Sequence, residues 1–303
     1  MRVGLRRPDP RRLGVRVLLA AAAALSGCAG QPAACPPLLD GVVWQTSHAT
    51  ARPEGDWHRL GARRLLVQWL EVDGTRFAGA SPAASGADAT PPDWARIGRE
   101  PWAREVWLGL AGAHDEARAR ADVGQLAARS AALAQGAARS LPLPVTAWYF
   151  PVEVDPTWQP PADLRRALAP LPRPLWLSAY DSANLGPDAL ADWVERWLPA
   201  DVGILWQDGV GVHARTPAVA ADYARRLAAR LGPARLQLIA EAFRPAPGGG
   251  FRSASAAELL PQLRAYAGWP LWVFDGPHYL GRAQVAALQA LDTAERPGCR
   301  RPD

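Results

Sequence analysis

The residues best suited to chemistry in this chain are two glutamates, Glu153 in WYFPVEVD and Glu241 in LQLIAEAF. Each sits where an apolar run of strand character turns polar. Glycosidic bond cleavage needs two carboxyl groups: one protonated to donate to the leaving oxygen, one ionised to attack the anomeric carbon or activate water. A separation of about 5 Å retains the anomeric configuration, and a wider gap admits water and inverts it. The pair has meaning only if the fold brings the two together, so the elements carrying them must be counted.

Apolar runs rich in Val, Leu, Ile and Trp occur at 42–47, 65–72, 106–111, 145–155, 175–182, 202–212, 236–243 and 271–279. Between them lie Ala/Arg/Leu stretches of helical period at 115–140, 162–169, 187–198, 217–231 and 255–267, with another at 282–295. Alternation of this kind predicts parallel strands covered by helices. From Cys28 onward there are 276 residues, the size of one α/β domain of the (β/α)8 TIM-barrel type. The expected plan is an export signal at 1–27, a tether at 28–40, the barrel at 41–295 and a tail at 296–303. Pro161, Pro187 and Pro217 suit first turns of helices, where a missing amide donor costs little. Leu231-Gly232-Pro233 reads as a helix stop. The run at 106–111 is the least strand-like, because 107–113 also suits a helix end. Segment 78–92, rich in Ala, Ser, Gly and Pro, reads as a long loop on the active-site side.

On this count Glu153 and Glu241 end strands four and seven, which face each other across a barrel mouth. Barrel chemistry sits at the C-terminal strand ends, and nearly every strand here ends in polar side chains, predicting a polar cup rather than a sealed core. Glu153 is the expected acid/base and Glu241 the expected nucleophile, unless either pairs with an arginine such as Arg244 at the rim. Expected sugar contacts are Gln45, Gln68, Glu71, Tyr149, Tyr180, Gln207, Asp208, Asp275 and Tyr279. Tyr149 shares a strand face with Glu153 by the two-residue period. Asp208 and Asp275 each precede a glycine, so a turn carboxylate is the competing role, and either is a rival second acid. Of the 14 Trp, Trp44, Trp69, Trp148 and Trp206 lie near strand ends, but most Trp should serve packing. Trp158, in the loop after strand four, is the expected stacking platform.

The five His show no metal-binding spacing, and HExxH, P-loop and dinucleotide motifs are lacking. Ser47-His48 and Ser178 have no nucleophile-elbow context. No cofactor and no metal are expected. A metal-dependent hydrolase built on Asp208, Asp275 and His278 is a weaker third reading.

Six arginines, from Arg2 to Arg16, precede an apolar stretch at 17–25 and Leu25-Ser26-Gly27-Cys28. The stretch is too short to span a bilayer and describes an export signal. Its last four residues resemble a bacterial lipobox, which implies lipidation at Cys28 and a membrane anchor through that lipid. Ala29 in place of Asp favours the outer membrane, facing the periplasm. The leader's net +5 equals that of the whole chain, leaving the remainder formally neutral. The basic balance therefore belongs to the leader, and nucleic acid is not an expected partner. Cys35 and Cys299 are either bridged or free thiols; an oxidising envelope and the closeness of domain termini favour a disulfide.

The segments GVVWQ, LLVQWLEVDG, WYFPVEVD, LWLSAY, ILWQDGVGV and LIAEAF, in this order, resemble the bacterial domain-of-unknown-function family 4434. The resemblance spans roughly 41–279, and QDGVG is its most specific piece. It implies an exported, glycosidase-like barrel without a known substrate. The wider clan of retaining glycosidases carries Asn immediately before the strand-four acid, where this chain has Val152. The expected function is therefore cleavage of a poly- or oligosaccharide in the envelope. The rival, from another class, is a non-catalytic glycan-binding or exopolysaccharide-assembly lipoprotein.

Overall fold

The computed structural model describes residues 33–78 and 91–300. The leader, Cys28 and most of segment 78–92 lie outside the described residues.

Eight parallel strands close into a barrel in chain order. They are β1 (Gly41–Trp44), β2 (Arg64–Val67), β3 (Glu105–Gly109), β4 (Val145–Tyr149), β5 (Leu175–Ala179), β6 (Val202–Gln207), β7 (Leu236–Glu241) and β8 (Leu271–Phe274). Each pairs with its neighbours in sequence, and β8 returns to β1 through Trp272 opposite Gly41 and Val273 opposite Val42. The run at 106–111 is a full barrel strand, paired with both β2 and β4. Its apolar residues are buried on both faces, the condition of a strand inside a helix-covered parallel sheet.

Most observed strands are shorter than the apolar runs. Tyr149 ends β4 and Phe274 ends β8, and the residues beyond them form the loops that carry the site. Glu71–Val72 leaves the barrel and joins a small sheet with Thr75–Arg76 and Ala111–Gly112. Helices Pro187–Trp197 and Pro217–Leu231 start at their prolines as expected. Pro161 instead precedes its helix, which begins at Leu164. Helix Ala256–Ala265 opens with a capping box between Ser255 and Glu258.

The core has two parts. Outward-facing strand residues such as Val42, Trp44, Leu65 and Val67 pack beneath the helices. Their alternates Val43 and Leu66 point inward and join Trp107, Tyr149, Trp176, Leu205, Ile239 and Trp272. Trp107 stacks on Trp176 at 4.7 Å and leans on Trp272 at 4.8 Å between ring centroids. Gly41 and Gly203 leave the space that the Trp272 and Trp176 rings occupy. Below its polar rim the barrel interior is thus filled by apolar side chains.

Cys35 and Cys299 form a disulfide that joins the two ends of the described chain. Such a bond belongs to an oxidising, exported setting. Leu38 and Leu39, expected in a tether, are buried, and their N–H groups donate to the Leu60 carbonyl. No helix among the described residues is long and apolar enough to cross a membrane.

Candidate active site

Beyond β4 the chain turns at Phe150-Pro151 and re-attaches to β5. Val154 bridges Ala179, and the Tyr180 N–H donates to the Val154 carbonyl at 2.8 Å. Glu153 sits between these anchor points with its side chain 19% exposed. Its carboxylate accepts from the Gln207 amide at the end of β6. Arg120 donates to the Glu153 carbonyl at 3.0 Å and lies 3.6 Å from its Oε1. The Glu153 N–H donates to Glu116 Oε2 at 3.2 Å. Burial, then the Glu116 charge, pushes the Glu153 carboxyl up to about 7, against the opposing pull of Gln207 and Arg120.

Glu241 is the last residue of β7 and is 4% exposed. Its Oε2 accepts from the Gly211 N–H at 2.7 Å. Burial, followed by the charge of Asp208, raises this carboxyl to about 8. The N–H groups of Gly211 and Val212 oppose that rise, and the Glu153 charge adds to it. The Glu153 charge reaches Glu241, so the two glutamates belong to one electrostatic site.

Tyr180 lies within electrostatic reach of both glutamates. Burial raises its phenol, Glu241 and Glu153 push further upward, and Arg215 opposes them. The Arg215 guanidinium lies 5.7 Å from the Tyr180 ring centroid. Tyr149 forms part of the floor, with its hydroxyl donating to Ser178 Oγ at 2.8 Å. Tyr279 is half-buried, with its ring 5.2 Å from that of Phe243, which flanks Gly211 beside Glu241.

Other expected contacts serve the protein itself. Asp208 is fully buried, and its carboxylate accepts from Val210 N–H, Glu241 N–H, Gln262 Nε2 and the Tyr266 hydroxyl at 3.1, 3.3, 2.6 and 2.8 Å. It holds the β6 loop against β7 rather than facing the cup. Asp275, also fully buried, accepts from the N–H groups of Gln45 and His278 and pairs with His278 Nδ1. Glu71 is 2% exposed and pairs with Arg76 and Arg129. Trp158 is buried and stacks on Trp193 at 5.4 Å, so it offers no open platform. Trp44, Trp69 and Trp206 are buried as well. Gln45 and Gln68 are half-buried at their strand ends, and Gln68 Oε1 is enclosed without a hydrogen-bond partner. Arg244 does not take up the Glu241 carboxylate; it donates to backbone carbonyls and to Gln262.

Among the described residues no group of three His, Cys, Asp or Glu side chains is placed to hold a metal. Asp208 and Asp275 are each consumed by protein donors, which removes the basis of the Asp208, Asp275 and His278 reading.

Sequence reasoning missed Glu116, Arg120 and the role of Gly211. The first two stand one helical turn apart just after the third strand, a spacing that places them on one helix face. Gly211 lies in the QDGVGV block, where a second glycine two residues after the first signals close backbone approach.

No family model matches the chain, and no curated protein matches it. Among solved structures, a candidate alpha-L-fucosidase from Bacteroides thetaiotaomicron aligns with TM-score 0.54 and 14% identity over 92% of this chain and 98% of that one. A chitinase from Chromobacterium violaceum aligns with TM-score 0.40 and 12% identity, over 83% of this chain and 99% of that one. The first likeness shows a shared (β/α)8 barrel fold.

Proposed function

We propose that this barrel is a glycoside hydrolase acting on a poly- or oligosaccharide of the bacterial envelope. What supports the reading is the pair Glu153, in the loop after β4, and Glu241, at the end of β7, both buried carboxyls pushed above their ordinary range, with the Glu153 charge acting on Glu241. A carboxyl held near pH 7 is suited to donate a proton to a glycosidic oxygen. Glu153 is the acid/base. Glu241 is the nucleophile; the N–H groups of Gly211 and Val212 oppose the rise that burial and Asp208 impose on its carboxyl.

The reactive form carries the proton on Glu153 and the charge on Glu241. Attack on the anomeric carbon expels the leaving oxygen, which takes the Glu153 proton. Water then displaces the sugar from Glu241 as Glu153 accepts a proton back. Tyr180 and Gln207 position the ring. The position occupied by Asn in retaining glycosidases holds Val152, fully buried among outer-core residues. The amide nearest the acid is instead that of Gln207.

The resemblance to family 4434 supports an exported, carbohydrate-directed role, and the Cys28 motif supports a lipid anchor in the outer membrane. A second reading, a glycan-binding or exopolysaccharide-assembly lipoprotein without catalysis, is favoured by the near-complete burial of Glu241.

The test is incubation of the soluble domain, with Glu153→Gln and Glu241→Gln, against a broad polysaccharide panel, following reducing ends and anomeric configuration by NMR. Cleavage with retention, lost in both variants while binding persists, is expected. Binding without cleavage by the wild type would replace this reading with the non-catalytic one.

A further inference from the structure

Glu116 has no part in the chemistry just described, yet it is the nearest acidic neighbour of the expected acid. It stands in the first turn of helix Glu116–Ala121, which follows β3 and is capped by Asp115. Its Oε2 accepts the Glu153 N–H at 3.2 Å. One turn further along the same helix, Arg120 reaches the Glu153 carbonyl at 3.0 Å and its carboxylate at 3.6 Å. One helix face thus grips the β4 loop twice, with a negative and a positive group, at the residue that must be aimed.

We propose that Glu116 is a positioning residue for Glu153, holding its backbone and setting its protonation through a second negative charge that Arg120 only partly balances. The proposal rests on the reading of Glu153 as the acid/base. A purely structural role would need only the hydrogen bond, which a neutral amide also supplies. The charge is what distinguishes the two. Two carboxylates side by side resist joint ionisation, so the pair keeps a proton that an isolated carboxyl would lose. Burial raises Glu116 itself, consistent with a pair enclosed together.

Every element packed around Glu153 contributes a group to this balance. Its own segment brings Asp155, which Thr157 and Ser182 hold. The β4 strand brings Tyr149, β5 brings Tyr180, β6 brings Gln207 and β7 brings Glu241. The Glu116 charge outweighs each of these as a source of upward push and is second only to burial.

The experiment is a carbon-13 NMR titration of side-chain-labelled glutamates in the full exported domain without substrate, the Glu153 signal being assigned by its loss in Glu153→Gln. The expected midpoint in the wild type is about 7. Glu116→Gln is expected to lower it by about one pH unit, and Glu116→Asp to restore part of that fall. Arg120→Met is expected to move it upward, and this keeps the idea testable if Glu116→Gln does not fold. An unchanged midpoint in folded Glu116→Gln, or a downward shift in Arg120→Met, would overturn the proposal. No substrate enters this measurement, so a failed cleavage assay and a failed titration are separate results.

Discussion

Gly211 lies directly against Glu241. Its N–H donates to Glu241 Oε2 at 2.7 Å, and a Cβ at this position would stand 2.6 Å from the Glu241 Cβ and 2.8 Å from Oε2. The β6 loop can deliver a hydrogen bond to the β7 carboxylate only because residue 211 has no side chain. Gly211→Ala must therefore displace the loop or the carboxylate. It is expected to cost about 1–3 kcal/mol of stability and to lower kcat by roughly 10–100-fold on any glycan the wild type cleaves. Thermal denaturation and single-substrate kinetics check the two effects.

The raised carboxyls make stability depend on pH in a defined direction. Glu153 and Glu241 sit at about 7 and about 8 in the folded protein, above the ordinary 4.5. The folded state therefore binds more protons than the unfolded state across that window, and stability falls as pH rises through it. Glu241→Gln removes the titrating group. The variant is expected to be more stable than wild type at pH 9 by on the order of 2 kcal/mol, with little advantage at pH 5. Denaturant unfolding at the two pH values measures the difference. An advantage at pH 5 that vanishes at pH 9 would contradict it.

Asp208 joins four donors from three parts of the chain. Asp208→Asn replaces one acceptor oxygen by an amide that faces donors, at a cost of about 1–3 kcal/mol. The same change removes the charge that pushes Glu241 upward. The Glu241 midpoint is expected to fall below about 8 in the folded variant, as followed by the carbon-13 signal of its carboxyl.

The disulfide joins residues 264 positions apart. Cys35→Ser combined with Cys299→Ser is expected to lose about 2–5 kcal/mol, because the unfolded chain regains the freedom that the loop withheld. Wild type under reductant should approach the double variant. Equal stability of oxidised wild type and variant would show that the bond contributes no net stabilisation.

The barrel was legible because its signal is local and repeated. A strand buried on both faces requires a short run such as Val42-Val43-Trp44 or Leu65-Leu66-Val67, and a covering helix requires apolar period near 3.6. Both follow from backbone geometry and need no partner to be known. The count of eight strands placed Glu153 and Glu241 on opposite sides of one mouth. Even the ambiguous run at 106–111 is a strand, since the sheet must close through it.

The roles of individual polar side chains were not legible in this way. Asp208 and Glu241 both read as strand-end carboxyls, yet Gln262 and Tyr266, more than fifty positions downstream, both donate to Asp208 Oδ2 only in the folded chain. Glu71 resembled a sugar contact until Arg129, 58 residues away, reached it. Trp158 lost its open face to Trp193, and Glu116 gained its relation to Glu153 across 37 residues. Strand number, strand order and the candidate pair were thus determined by the sequence alone, through burial patterns that each segment carries itself. Which carboxyl is free, which is neutralised and which is pressed upward was decided only by tertiary structure, because desolvation and charge pairing depend on distances between atoms far apart in the chain.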